Sequence, residues 1–183
     1  MHDVSEQAQL ATPVEPQADP TNVVNCCADR QQQLATLLKP YGIEINFVAA
    51  NETIPGSFFG EREAGIINNQ LYLRHDTPVH SALHESGHYI CMDQLRRDNL
   101  DTDAEGDFDE ENGVCYLQIL LADQLPDMDK QRMMIDMDRW GYTFRLGSAQ
   151  AWFEQDAEDA KQWLQNHNII DQHQQPTWQL RIT

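Results

Sequence analysis

The chain has 183 residues, with 30 Asp and Glu against 12 Lys and Arg, for a formal net charge of −18. A surface this acidic argues against nucleic acid or an anionic membrane as the main partner, because both require a basic face. No stretch approaches the roughly 18 consecutive apolar residues of a membrane span. The opening residues also lack the basic and apolar regions of a secretory signal, so the expected address is cytoplasmic.

Residues 1–22 are rich in Gln, Pro, Ala and acid, with no periodic apolar pattern, and read as a disordered or loosely packed arm. Residues 23–170 read as a single domain. A first helix is expected from Asn25 to Leu38, with Leu34, Leu37 and Leu38 on one side and Pro40 ending it. Cys26 and Cys27, near its start, read as reduced thiols. Ile43 to Val48 alternates apolar and polar residues, the mark of a strand. Turn residues surround the aromatic pair Phe58 and Phe59, and Ala64 to Ile67 leads back into strand. Gln70 to Arg74 alternates again, giving a small sheet, and this strand is expected to border a cleft as an edge. His75 to Pro78 then supplies a helix start, with Asp76 or Thr77 as N-cap and Pro78 in the first turn.

The helix that follows carries the motif of greatest chemical content, His84-Glu85-Ser86-Gly87-His88. Residues four apart lie on one helix face, so His84 and His88 can reach one metal ion from the same side. Glu85 projects about 100° away, beside the ion, where it can serve as general base for water. Val79, Ala82, Leu83, Ile90, Cys91 and Leu95 recur at helical spacing, and Gly87, which weakens a helix, marks a close approach to the backbone. His80 is about 12 Å along the axis from His88 and cannot share an ion with it.

An acidic run, Asp101 to Asn112, has acids at positions 1, 3, 5 and 9 of a calcium loop and Gly106 at the turn. Position 12 is Asn112 instead of the bidentate glutamate. Ca²⁺ at this loop is therefore the weaker reading beside a solvated acidic connection. The next helix, Asp109 to Leu125, opens with acids and bears Val114, Leu117, Leu120 and Leu121. Two histidines leave a metal short of ligands, and a carboxylate from a second helix completes many such sites. Glu111 is the expected third ligand, since Val114 and Cys115 lie one turn on along its face; Glu110 is the alternative, ahead of Asp107 and Asp109. Cys91 and Cys115 are expected to face each other in the core as thiols. Further helices are expected over Asp127 to Trp140 and Ser148 to Asn166, with Met and Trp stripes typical of core. Arg139, Tyr142 and Arg145 are candidate contacts for a substrate oxygen. Residues 171–183 read as an extended tail.

The pair His84-Glu85-x-x-His88, followed about two dozen residues later by an acid opening a helix, resembles the gluzincin branch of zinc metallopeptidases, and in size the mini-zincins. That resemblance spans roughly residues 66 to 122. It implies a zincin-like α+β fold, with a small, mostly antiparallel sheet packed on the motif helix and on further C-terminal helices. It also implies a zinc-dependent peptidase with a peptide or protein substrate, His84, His88 and Glu111 as ligands, and Glu85 as base. Ser81 to Tyr89, with Arg96 and Arg97 beyond, is similar to the core of elongation factor P hydroxylase. This second resemblance implies oxidative chemistry at iron, and two histidines with one carboxylate also suit Fe²⁺. A third reading is a non-catalytic module that holds its metal in a closed site.

Overall fold

The computed structural model describes residues 20–183 apart from Thr102 and Glu105, so most of the expected N-terminal arm lies outside the described residues. In chain order, α1 (Ala28–Leu38), β1 (Glu44–Phe47), β2 (Gly65–Ile67) and β3 (Gln70–Leu73) precede α2 (Val79–Cys91) and α3 (Gln94–Asp98). Four more helices follow: α4 (Phe108–Ala122), α5 (Lys130–Trp140), α6 (Ala149–Gln155) and α7 (Glu158–Asn166). The class is α+β.

The three strands run in the order β1-β3-β2. β2 and β3 form an antiparallel hairpin across Asn68 and Asn69, with Asn68 in the left-handed region at φ 52° that such two-residue turns require. β1 instead lies parallel to β3, pairing Ile45 with Leu71 and Phe47 with Leu73. The sheet is therefore mixed, not mostly antiparallel. The long connection over residues 48–64 makes this possible, because parallel neighbours need a crossover of a dozen or more residues. β3 is also the central strand and not the expected edge. Both of its sides are already hydrogen-bonded, so it offers no free edge to an extended substrate.

The helix bearing the motif is the centre of the molecule. Pro78 is its N-cap, where the sequence suggests Asp76 or Thr77. Thr77 is engaged otherwise, its hydroxyl accepting from Arg74 N at 2.9 Å and its carbonyl from Cys26 N at 2.7 Å. Every residue of α2 is buried except His84 and Glu85. α2 and α4 are the most extensively packed pair of elements, and the reason lies at Gly87: a Cβ there would stand 2.9 Å from Val114 Cγ1. The glycine is what lets the two axes approach.

The last turn of α2 is finished by arginines. Helix ends leave their final carbonyls without partners inside the helix. Here Arg97 donates to Tyr89 O (2.9 Å) and Met92 O (2.5 Å), while Arg181 donates from its backbone to Ile90 O (3.0 Å) and from its guanidinium to Cys91 O (3.2 Å). Two cationic side chains at a helix C-terminus also favour its dipole. Residues 171–183 are thus held against the domain: Arg181 O accepts from Arg97 (2.7 Å), and Trp178 lies against Tyr41 with ring centroids 5.7 Å apart. The expected helix over 148–166 is divided at Asp156 and Ala157, with Ser148 capping its first part through Ala151 N. No helix among the described residues is long and apolar enough to cross a membrane.

Gly87→Ala is expected to destabilise the fold by roughly 1–3 kcal/mol through overpacking, since Val114 is β-branched and stiff at χ1. Adding Val114→Ala should recover part of that loss. Denaturant unfolding of the two single variants and the double variant measures both.

Candidate metal centre

Residues Glu111, Val114, Cys115 and Gln118 recur along α4 at the three- and four-residue spacing of one helix face, and that face meets α2. Val114 fills the space over Gly87, which fixes the height of the two helices relative to each other. His84 and His88 from α2 then converge with Glu111 from α4. Their Nε2 atoms are 3.1 Å apart; His84 Nε2 is 3.2 Å from one Glu111 oxygen and His88 Nε2 is 3.3 Å from the other. In a tetrahedral site with ligand bonds of about 2.0–2.2 Å, adjacent ligand atoms stand roughly 3.3 Å apart. The residues present fit such an ion.

The proton positions support the same reading. His84 Nδ1 lies 2.7 Å from Gln118 Oε1, an acceptor, so the proton of a neutral His84 sits on Nδ1 and its Nε2 lone pair points inward. His88 Nδ1 is buried with no partner among the described residues. Two imidazole nitrogens and a carboxylate therefore face one another, an arrangement that a shared cation would hold together. In the protein alone, a proton takes that role. Burial works against a charged His84, yet Tyr142 and hydrogen bonding to Cys115 and Glu111 hold its pKa well above the ordinary value. Burial and the neighbouring His84 push His88 down. Burial would raise Glu111, but its hydrogen bond to His84 and the charges of both histidines keep it below the usual carboxylate range.

Glu85 is the other residue of α2 with accessible surface. Burial pushes its carboxyl up to about 7, His84 pulling it down and Glu63 and Glu111 adding to the rise. Glu63 is itself held by Trp140 Nε1 at 2.8 Å. Behind His84 stands Tyr142, its ring edge-on at 5.7 Å, with its hydroxyl 3.3 Å from His80 Nδ1. His80 is thus buried against Tyr142 and Trp140 and takes no place among the converging atoms. Its pKa is depressed to about 3, by burial first and then by His84 and Arg62.

Glu110, the alternative ligand, points elsewhere. It is buried between Arg96, at 2.8 Å, and Arg181, at 3.1 Å. Asp107 caps α4 by accepting from Glu110 N. Of the three candidate substrate contacts, Arg139 donates to Asn22 O (2.9 Å) and Arg145 pairs with Asp156, so Tyr142 alone stands at the centre. Among the described residues, the ligating groups that gather are His84, Glu111 and Cys115, whose ligand atoms lie within 4.8 Å of one another. Cys115 therefore faces the centre, whereas the sequence places it in the core opposite Cys91. His88 belongs with this group on its distances to His84 and Glu111. Apart from Glu111, the acids of the 101–112 run form no such group among the described residues, and Glu105 lies outside them.

A cleft of about 690 Å³ opens on the side of α4 that faces α6 and α7, and none of the converging residues lines it. Its wall includes Asn112 and Thr143, the chain neighbours of Glu111 and Tyr142, together with Phe144, Trp152 and Trp163. Phe58 and Phe59 line neither this cleft nor the centre; they are 60 % and 76 % exposed and pack edge-to-face on each other.

Gln118 escapes a sequence reading of the centre, since an amide in an apolar stripe carries no spacing signal. Gln118→Leu should weaken metal binding by about 10–100-fold, the usual cost of removing a hydrogen bond to a ligating histidine, as read by competition with a chromogenic chelator. Because an entering ion must displace the proton on the histidine pair, metal affinity should rise with pH, about tenfold per unit below the raised pKa of His84, and then level off. Calorimetry in buffers of differing ionisation enthalpy should register the released proton. No protein-family model, curated protein or solved structure matches the chain.

Proposed function

We propose that the protein is a metal-dependent hydrolase, a zinc peptidase of zincin type, with His84, His88 and Glu111 as ligands and Glu85 as general base. One observation carries the reading: the two Nε2 atoms and the Glu111 carboxylate converge at 3.1–3.3 Å, on a helix that leaves only His84 and Glu85 unburied. A bound zinc ion supplies Lewis acidity, polarising a carbonyl oxygen and making water a better nucleophile near neutral pH.

The chain's own residues do the rest. Glu85 accepts the proton of the attacking water, and its carboxyl near 7 suits a group that must take up a proton and later give it to the leaving amine. Gln118 keeps His84 in one tautomer and orientation. Tyr142, standing against His84, has the substrate oxygen as its acceptor in this reading.

The first test is elemental analysis of protein purified without added metal, beside His84→Ala and Glu111→Ala. About one zinc per chain, lost from both variants, is expected. Glu85→Gln should then keep its zinc and lose peptide hydrolysis by about 10²–10⁴-fold, the span general-base catalysis contributes. Iron in place of zinc, with oxygen consumed in the presence of a protein substrate, would replace this reading with a hydroxylase. Bound zinc with no turnover on peptide libraries would replace it with a binding module.

A further inference from the structure

We infer that Cys115 is a fourth ligand to the metal, and that its thiolate closes the site in the resting protein. The inference rests on the metal-centre reading above and adds to it a chemical reason for zinc over iron and the state of the fourth position.

Three observations lead there. First, Cys115 lies one turn beyond Glu111 on α4, and its sulfur falls within 4.8 Å of ligand atoms of His84 and Glu111. A tetrahedral zinc site with bonds of about 2.0–2.1 Å to nitrogen and 2.3 Å to sulfur holds those atoms roughly 3.6 Å apart, so a small side-chain adjustment suffices. Second, the position is not free to drift. Val114 is locked over Gly87, and Gln118, one turn further, is anchored on His84 Nδ1 at 2.7 Å. The residue between these two fixed points must face the same side. Third, Cys115 is a free thiol, only 7 % exposed, beside the His84 imidazole and the Glu111 carboxylate. A buried cysteine is ordinarily surrounded by apolar groups; this one packs with the core and also borders two polar ligand groups.

The chemical consequences follow from the donor set. A site of two imidazoles and one carboxylate suits zinc or Fe²⁺ equally, whereas a thiolate shifts the preference toward the softer, tetrahedral ion. Four protein ligands also complete the tetrahedron, which is the mark of a closed site. For hydrolysis, Cys115 must give way to water or substrate, and the short side chain of a residue in the middle of a rigid helix can do this by rotating about χ1 alone.

The test uses the full chain loaded with Co²⁺ in place of zinc. The native protein should bind about one ion and show the intense near-ultraviolet charge-transfer band of a thiolate–cobalt bond. Azide, a small exogenous ligand, should leave its visible spectrum unchanged. Cys115→Ala should still bind one ion, at roughly a hundredfold lower affinity or less, lose the charge-transfer band, and respond to azide. X-ray absorption of the zinc form should give one sulfur at about 2.3 Å in the native protein alone. Circular dichroism confirms that the variant is folded. Cobalt bound without a sulfur band, or a native spectrum that responds to azide, would overturn the role of Cys115 while leaving the three-ligand centre standing. Failure of the native protein to bind cobalt or zinc more tightly than His84→Ala would overturn both.

Discussion

The close crossing of α2 and α4 at Gly87 and Val114 is the contact on which the rest of the structure depends. It is a packing constraint, but its product is chemical. Once the backbones are close enough for Val114 to sit over a residue without a Cβ, the side chains above and below that contact have one place to go. His84 and His88 come from one helix, and Glu111, Cys115 and Gln118 from the other. The sheet, α5 and α7 then hold this pair from outside, so that the polar centre is built within the best-packed part of the molecule. A site on rigid helices keeps its geometry far better than one carried on loops.

Enclosing so many polar groups has an electrostatic cost, and the structure meets it by dividing charge between two neighbouring glutamates. Glu110 and Glu111 are adjacent in sequence, yet their side chains serve different partners on different sides of α4. Glu110 is neutralised by Arg96 and Arg181, where burial of a lone carboxylate would be prohibitive. Glu111 faces the histidines and is stabilised by whatever positive charge they share. With one arginine-bound and the other aimed at the centre, the two carboxylates do not compete for the same cation.

Much of this was legible in the sequence, and the limits are physical. The motif helix, the strands before it and the helix opening with acids all announce themselves by period and by turn residues. Glu111 could be picked out over Glu110 because its helical neighbours Val114 and Cys115 mark the inward face. What decides Glu110's role, an arginine 14 residues before it and another 71 residues after, has no local signature. Strand direction is illegible for the same reason: β1 runs parallel to β3 because of where the 48–64 connection delivers the chain, which is a property of tertiary packing. Cys115 reads as core because a cysteine on an apolar stripe has that meaning in most helices. Only the partner helix turns it into a candidate ligand. The division of the 148–166 helix at Asp156 and Ala157 likewise has no glycine or proline to announce it.

The arginine finish to α2 has a consequence for the order of folding. Its hydrogen bonds span 84 and 90 residues, from Arg97 to Arg181 O and from Arg181 to Cys91 O. Contacts across such loops are entropically expensive and form after local ones. The helix that carries both histidines therefore gains its final carbonyl partners late, once the last strap of chain has returned to it. Before that moment Glu110 lacks one of its two counter-charges, and the first turn of α4 is correspondingly loose. An ion that engages both helices would favour the closed arrangement in the same step, so metal uptake and the seating of the strap should be thermodynamically coupled events.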